Sequence, residues 1–146
     1  MRDESETMRH LADGYRGLLV ELFSCDDALY TAVDVVAGNR MFYHVVDTDT
    51  VATEIVRRMN RHRLPGSVNF FPLNRVMRKH VDYPLLDCAV PMITSLLIDE
   101  GMEPVLENVF ARTLICNHVS DAFQLAQEFK FDCVTLEGDL VSATCI

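Results

Sequence analysis

The chain has 146 residues, of which 49% are hydrophobic and 24% charged, and a formal net charge of −9. That balance supports a folded core and excludes the apolar-poor, highly charged composition of a disordered chain. The acidic excess argues against a dedicated DNA-binding domain, which needs clustered Lys and Arg to release counterions, though not against a local basic patch.

Residues 1–14 are polar and charged, lack a broad apolar face, and read as an entry segment, either the end of a coiled coil or disordered. Their polarity does not fit a secretory leader. The richest apolar stretch, Ala89 to Ile98, holds Pro91, Thr94 and Ser95 and is too short to cross a bilayer, so no membrane partner is expected. The apolar run Leu18-Leu19-Val20 after Gly14 and Gly17 predicts a strand over Tyr15 to Phe23. Ser24 then offers an N-cap oxygen, with Asp27 as an acidic partner, for a helix from Asp26 to Ala37. Its apolar stripe is Ala28, Leu29, Ala32, Val33 and Val36, and Gly38-Asn39 ends it.

Met41 to Val46 is aromatic and β-branched and predicts a strand. Asp47-Thr48-Asp49 opens a helix whose stripe is Val51, Ala52, Ile55, Val56 and Met59. Leu64-Pro65-Gly66 breaks it before a strand over Ser67 to Phe71. Such a strand–helix–strand unit implies a right-handed crossover and parallel pairing. A loop-rich middle from Pro72 to Pro91 separates this lobe from the next. After a short helix over 103–110, the unit recurs. Strand Thr113 to Cys116 leads to a helix over Ser120 to Phe129, with Ala122, Leu125, Ala126 and Phe129 inward, and then to strand Cys133 to Leu136. Glu137-Gly138-Asp139 turns into Leu140-Val141. The expected fold is α/β (α+β): lobe one at 15–75 and lobe two at 89–142, each a strand–helix–strand core with a mixed sheet, and a divergent tail at 143–146.

Val45-Val46-Asp47-Thr48-Asp49-Thr50-Val51 resembles the first motif of haloacid-dehalogenase-type phosphatases, in which one Asp attacks phosphorus, a second acts as general acid, and both need magnesium. Gly138-Asp139 and Lys130 mimic later parts of that machinery. The simpler account is that acidic residues at a helix start cap free amides and complement the helix dipole, and Thr50 stands where that family has Gly. Nucleophile elbows and phosphate-binding glycine loops are absent, so no catalytic residue and no cofactor are assigned.

Five cysteines, Cys25, Cys88, Cys116, Cys133 and Cys145, are scattered without a C-x-x-C and read as reduced thiols, with Cys116 and Cys133 buried in strands. Cys116-Asn117-His118 lacks a second pair of ligands at zinc-like spacing, so no metal site is expected. His44, in mid-strand, reads as a hydrogen-bonded face residue. Arg57, Arg58, Arg61 and Arg63, with Arg75, Arg78 and Lys79 downstream, are candidates for DNA contact through phosphate charge; the alternative is that cations complement the helix C-terminus.

Several long stretches carry a family resemblance. Tyr30 through Asp47, Leu64 through Asn74, Ala89 through Ile93, Thr113 through Cys116 and Asp132 through Ser142 resemble, in order, the hinge domain of the cohesin SMC subunits, most of all the third. The resemblance implies a non-catalytic dimerisation module at the far end of a long coiled coil, remote from the ATPase heads. Its implied partner is the hinge of a second SMC subunit, the first cohesin SMC, in a heterodimer that closes a chromosome-encircling ring for sister chromatid cohesion. Weak DNA contact and a nuclear, chromosomal location follow from the same likeness. Beyond Ser142 that family continues into a glycine-rich interface strand where this chain reads Ala143-Thr144-Cys145-Ile146, so the expectation is a C-terminally truncated hinge with Leu140, Val141 and Ser142 as candidate dimer interface.

Overall fold

The apolar run after Gly14 does not continue as one strand to Phe23. In the computed structural model, which describes residues 8–9, 13–61, 68–78 and 80–143, it divides into β1 (Tyr15–Leu18), a 3-10 turn and β2 (Phe23–Ser24). The Glu21 carboxylate accepts the Leu18 N–H at 2.8 Å, and the Leu22 N–H folds back onto the Leu19 carbonyl at 3.0 Å. Both bonds compete with a sheet ladder and end the strand. The remaining strands are β3 (His44–Val46), β4 (Phe70–Pro72), β5 (Ala89–Pro91), β6 (Leu97–Ile98), β7 (Thr113–Cys116), β8 (Asp132–Thr135) and β9 (Leu140–Val141). The helices are α1 (Tyr30–Ala37), α2 (Asp49–Arg61), α3 (Glu103–Phe110) and α4 (Val119–Phe129). Among the described residues no helix is long and apolar enough to cross a membrane.

Two compact units form. One takes the described residues up to Leu22 with those of Asn39–Met77; the other takes Phe23–Gly38 with the described residues from Arg78 onward. The lobes expected from sequence order are thus interleaved, and Phe23–Gly38 folds with the second. The physical reason is the apolar face of α1, where Ala32, Val33 and Ala37 are buried and the helix packs on β8 and α3.

The first unit is a three-stranded sheet in the order β1-β3-β4, with β1 antiparallel and β4 parallel to β3. Helix α2 makes the crossover between the parallel strands, as the sequence pattern requires. Ile55 and Met59 of α2 are buried with Tyr15 and Val46, while Val56 turns outward. Strand β3 begins later than Met41 because the backbone over Gly38–Phe42 is a 3-10 turn, with the Tyr43 N–H on the Arg40 carbonyl at 3.1 Å. Thr48, not an aspartate, caps α2: its Oγ accepts the Val51 N–H at 3.1 Å. The expected break at Leu64-Pro65-Gly66 and the strand start at Ser67 lie outside the described residues. His44 is buried and shares a 2.7 Å hydrogen bond between Nδ1 and the Tyr15 hydroxyl.

The second unit is built on a sheet in the order β5-β7-β8-β9, parallel at its centre and antiparallel at both sides. On one face Leu114, Cys116, Cys133 and Val141 bury against Ala122, Leu125 and Ala126 of α4. On the other, the register aligns Val90, Ile115, Val134 and Leu140 in one row across all four strands. Ile115 and Val134 at its centre are buried; Val90 and Leu140 at its ends are exposed. A separate ribbon pairs β2 with β6, and Phe23 meets Phe110 edge to face at 5.6 Å.

Helix α1 starts later than its sequence suggests. Ser24 belongs to β2, Asp27–Leu29 form a 3-10 turn without a side-chain cap, and Ala28 is therefore exposed rather than on the buried stripe. Cys116 and Cys133 are buried as expected. Hydrogen bonding to Cys116, together with burial, pushes the Cys133 thiol well above the ordinary thiol range, so it stays protonated and inert.

Candidate functional site

The larger sheet has two outer strands, β5 and β9, and such an edge is a natural place for a partner. An edge strand presents backbone N–H and C=O groups outward, and proteins cover or blunt such edges unless they use them. Among the described residues β9 has no strand on its outer side.

The turn leading into β9 is tightly specified. Gly138 donates its N–H to the Thr135 carbonyl at 3.0 Å, closing a β-turn over Leu136 and Glu137. Thr135 donates its hydroxyl to the Asp139 carboxylate at 3.2 Å and accepts the Asp139 N–H on the same oxygen at 3.1 Å. The backbone bond from Thr135 N–H to the Asp139 carbonyl, 3.0 Å, completes the clamp. Asp139 is therefore a turn residue, and the likeness of Gly138-Asp139 to a phosphatase motif does not survive.

Gly138 also fixes this turn against α1. Its φ is +95°, and a Cβ there would lie 3.0 Å from Thr31 Cγ2 and 3.3 Å from Val35 Cγ2. The α1 residues at this contact open onto solvent: Thr31 and Asp34 are exposed, as are the apolar Tyr30 and Val35. Leu136 and Leu140 on the turn and strand are also more than 40% exposed, well above what a core leucine shows. The turn, with exposed Leu136 and Leu140 beside it, thus meets the exposed side of α1, and Asp34, Glu137 and Asp139 are exposed on the same two elements.

The three sequence candidates fall differently on this surface. Leu140 presents its side chain outward, whereas Val141 points into the core and its backbone groups face β8, two residues on from the Thr135–Asp139 bond. Ser142 is half-buried. Tyr30, Val35 and Leu136 were missed, although one signal was present. The pairs Tyr30/Asp34 and Thr31/Val35, each four residues apart, lie on the side of the helix away from the predicted apolar face and place large apolar groups outside it.

The aspartates that opened the phosphatase reading are committed elsewhere. Asp47 holds Arg16 at 2.5 Å. Asp49 accepts from Arg75 Nε at 2.8 Å and from Asn74 Nδ2 at 3.0 Å, while its own N–H donates to Asn74 Oδ1 at 2.9 Å. These contacts hold the Asp49 carboxyl below its usual range, the Asn74 bond first and Arg75 second. Two carboxylates each neutralised by an arginine fasten β1 and the β4 exit to the start of α2; they do not converge on a shared cation. Lys130, the third part of that reading, ends α4 in the left-handed conformation and accepts an Arg112 N–H on its carbonyl.

The basic candidates are likewise dispersed. Arg57 and Arg58 both reach Glu54, at 3.4 and 2.7 Å, and Arg61 is exposed at the end of α2. Arg75 is spent on Asp49. Arg78 forks onto Glu107 at 2.7 and 3.0 Å on the wall of a cleft of about 460 Å³ in the second unit, lined also by His80, Tyr83 and Ile93. Arg63 and Lys79 lie outside the described residues.

Comparison with known proteins supplies the family. Residues 12–126 match the family of SMC protein flexible hinge domains. The chain is 42% identical over 130 residues to structural maintenance of chromosomes protein 3 of Arabidopsis thaliana, a match covering 89% of this chain and 11% of that protein. It therefore spans about a tenth of that relative's length. Among solved structures, an asymmetric dimer of the Geobacillus stearothermophilus SMC hinge domain superposes with a TM-score of 0.87 at 22% identity, covering 97% of this chain and 59% of that one, a likeness of fold. A structure of the folded elbow of cohesin gives 0.85 at 26% identity, covering 98% and 21%.

Proposed function

The chain belongs to the SMC hinge family, and on that premise we propose that it is a non-catalytic dimerisation module that pairs with the hinge of a second SMC subunit, the first of cohesin. In this reading it joins two coiled-coil arms and closes one gate of a chromosome-encircling ring in the nucleus, serving sister chromatid cohesion. The observation that carries it is the β9 edge with its exposed neighbours Tyr30, Val35, Leu136 and Leu140. Adding a strand there satisfies edge amides and carbonyls while burying four apolar side chains, the two ingredients of β-augmentation. No bond need be made or broken at such a surface.

Leu140 supplies both a side-chain anchor and the outward backbone groups of this edge, with Val141 and Ser142 following it in sequence. Weak DNA contact belongs to the end of α2, where Glu54, Arg57 and Arg58 sum to one positive charge and Arg61 adds another. Arg63 extends that run in sequence. Arg75 and Arg78, each held by a carboxylate, contribute little, and Lys79 follows directly on Arg78. Contact of this kind reads phosphate charge and not base sequence.

The test is the solution mass of the chain mixed with the first cohesin SMC hinge, measured by light scattering at micromolar concentration. A one-to-one complex is expected, weakened at least tenfold by Leu140→Asp, which places a charge in the apolar contact (about 1.4 kcal/mol per decade). Two separate monomers at that concentration would refute the reading.

A further inference from the structure

The formal charge of the chain is distributed very unevenly. The second unit carries fourteen acidic against four basic side chains, a net of −10, whereas the first carries eight against nine, a net of +1. The acidic excess reaches the β9 surface itself. Asp34 stands on the exposed stripe of α1, one position before Val35, whose methyl group faces the Gly138 turn. Glu137 is at the crest of that turn and Asp139 at its foot, both exposed, and no basic residue occurs from Phe131 to Ser142.

Charge of one sign around a docking patch selects among partners before contact is made. Two second units brought edge to edge would each present a net charge of −10 together with Asp34, Glu137 and Asp139. Like charges facing each other across an interface suppress that pairing, while a surface of opposite sign is steered in. Resting on the dimerisation reading above, we infer that the acidic second unit is a partner-selecting device: its β9 edge rejects the same edge of a second copy and accepts a partner strand flanked by Lys and Arg. The apolar residues set the strength of the contact and the acidic rim sets its specificity and association rate, because interactions among exposed charges act over roughly a Debye length before the surfaces meet.

The experiment measures association kinetics of the whole chain with the first cohesin SMC hinge at low and high sodium chloride, and repeats them with Asp34→Lys/Glu137→Lys. Both positions are exposed, so the variant keeps the fold, verified by circular dichroism. The expected result is an association rate that falls about tenfold or more from 0.05 to 0.5 M salt, and a similar drop in the variant at low salt with little change in dissociation. In parallel, the unmodified chain alone should show no edge-to-edge dimer by light scattering at low salt. Binding whose rate is indifferent to salt and to the double reversal would overturn the inference while leaving the dimerisation reading intact. Tight edge-to-edge self-association of the unmodified chain at low salt would also overturn it. Absence of binding to the partner hinge at every salt concentration would instead remove the dimerisation reading on which it rests.

Discussion

Gly138 is the residue whose replacement tests most directly how the candidate surface is assembled. Gly138→Ala meets two costs that can be separated. The first is conformational: at φ +95° an L side chain crowds its own carbonyl, about 1–2 kcal/mol. The second is steric, since the new Cβ would stand 3.0 Å from Thr31 Cγ2 and 3.3 Å from Val35 Cγ2, and forcing α1 and the turn apart costs about 1–2 kcal/mol more. Gly101→Ala provides the control, because Gly101 has φ +83° and nothing within 4 Å of the added carbon, so only the conformational cost applies. Urea unfolding should therefore place Gly138→Ala about 1–2 kcal/mol below Gly101→Ala, a further drop in melting temperature of roughly 3–8 °C for a chain of this size. Thr31→Ser removes the nearest methyl and should recover about 0.5–1 kcal/mol in the Gly138→Ala background only, a coupling that a double-mutant cycle isolates. Equal destabilisation by the two alanines, with no coupling to Thr31, would refute the claim that the turn is locked to α1.

Other expectations follow from single contacts. Thr48→Ala should destabilise by about 1 kcal/mol in urea titration, because the Val51 N–H loses its cap, whereas Thr48→Ser should restore most of it. Lys130→Gly should stabilise by up to about 1 kcal/mol, raising the thermal midpoint by a few degrees, since Lys130 holds φ +61° where glycine is unstrained. Acid should weaken the fold through Asp49 and Glu107. Both carboxyls are held below their usual values in the folded state, Glu107 chiefly by its hydrogen bond to Arg78, so their contribution is present above the unfolded value near pH 4 and is lost as pH falls through the lowered folded values. Urea midpoints measured from about pH 6 down to pH 3 should decline below about pH 4, and Glu107→Gln should decline less steeply across that window.

Local pattern made much of the fold legible. The two strand–helix–strand cores follow from β-branched runs bracketing amphipathic helices, and both β3–β4 and β7–β8 are parallel as that order demands. The buried triplet Ala122, Leu125 and Ala126 follows from 3.6-residue spacing, and the short helix expected over 103–110 is present as Glu103–Phe110. Errors arose where one side-chain bond competes with propensity. The Glu21 carboxylate on the Leu18 N–H stops a run that apolar content would extend to Phe23, and Thr48 takes the capping role that two adjacent aspartates suggested.

The sequence by itself determined the family, the parallel cores and the lack of a nucleophile motif, because these reside in residue order and short-range periodicity. Only the tertiary structure decided that Phe23–Gly38 folds with the second unit, that Asp47 and Asp49 are each tied to an arginine, and that the Gly138 turn meets α1 at Thr31 and Val35 while Tyr30, Val35, Leu136 and Leu140 stay exposed. The reason is that a helical stripe can be covered by any sheet of complementary shape, and a carboxylate by any cation within reach. Which sheet and which cation depend on contacts between residues far apart in sequence, Thr31 and Gly138 among them, and no local pattern encodes them.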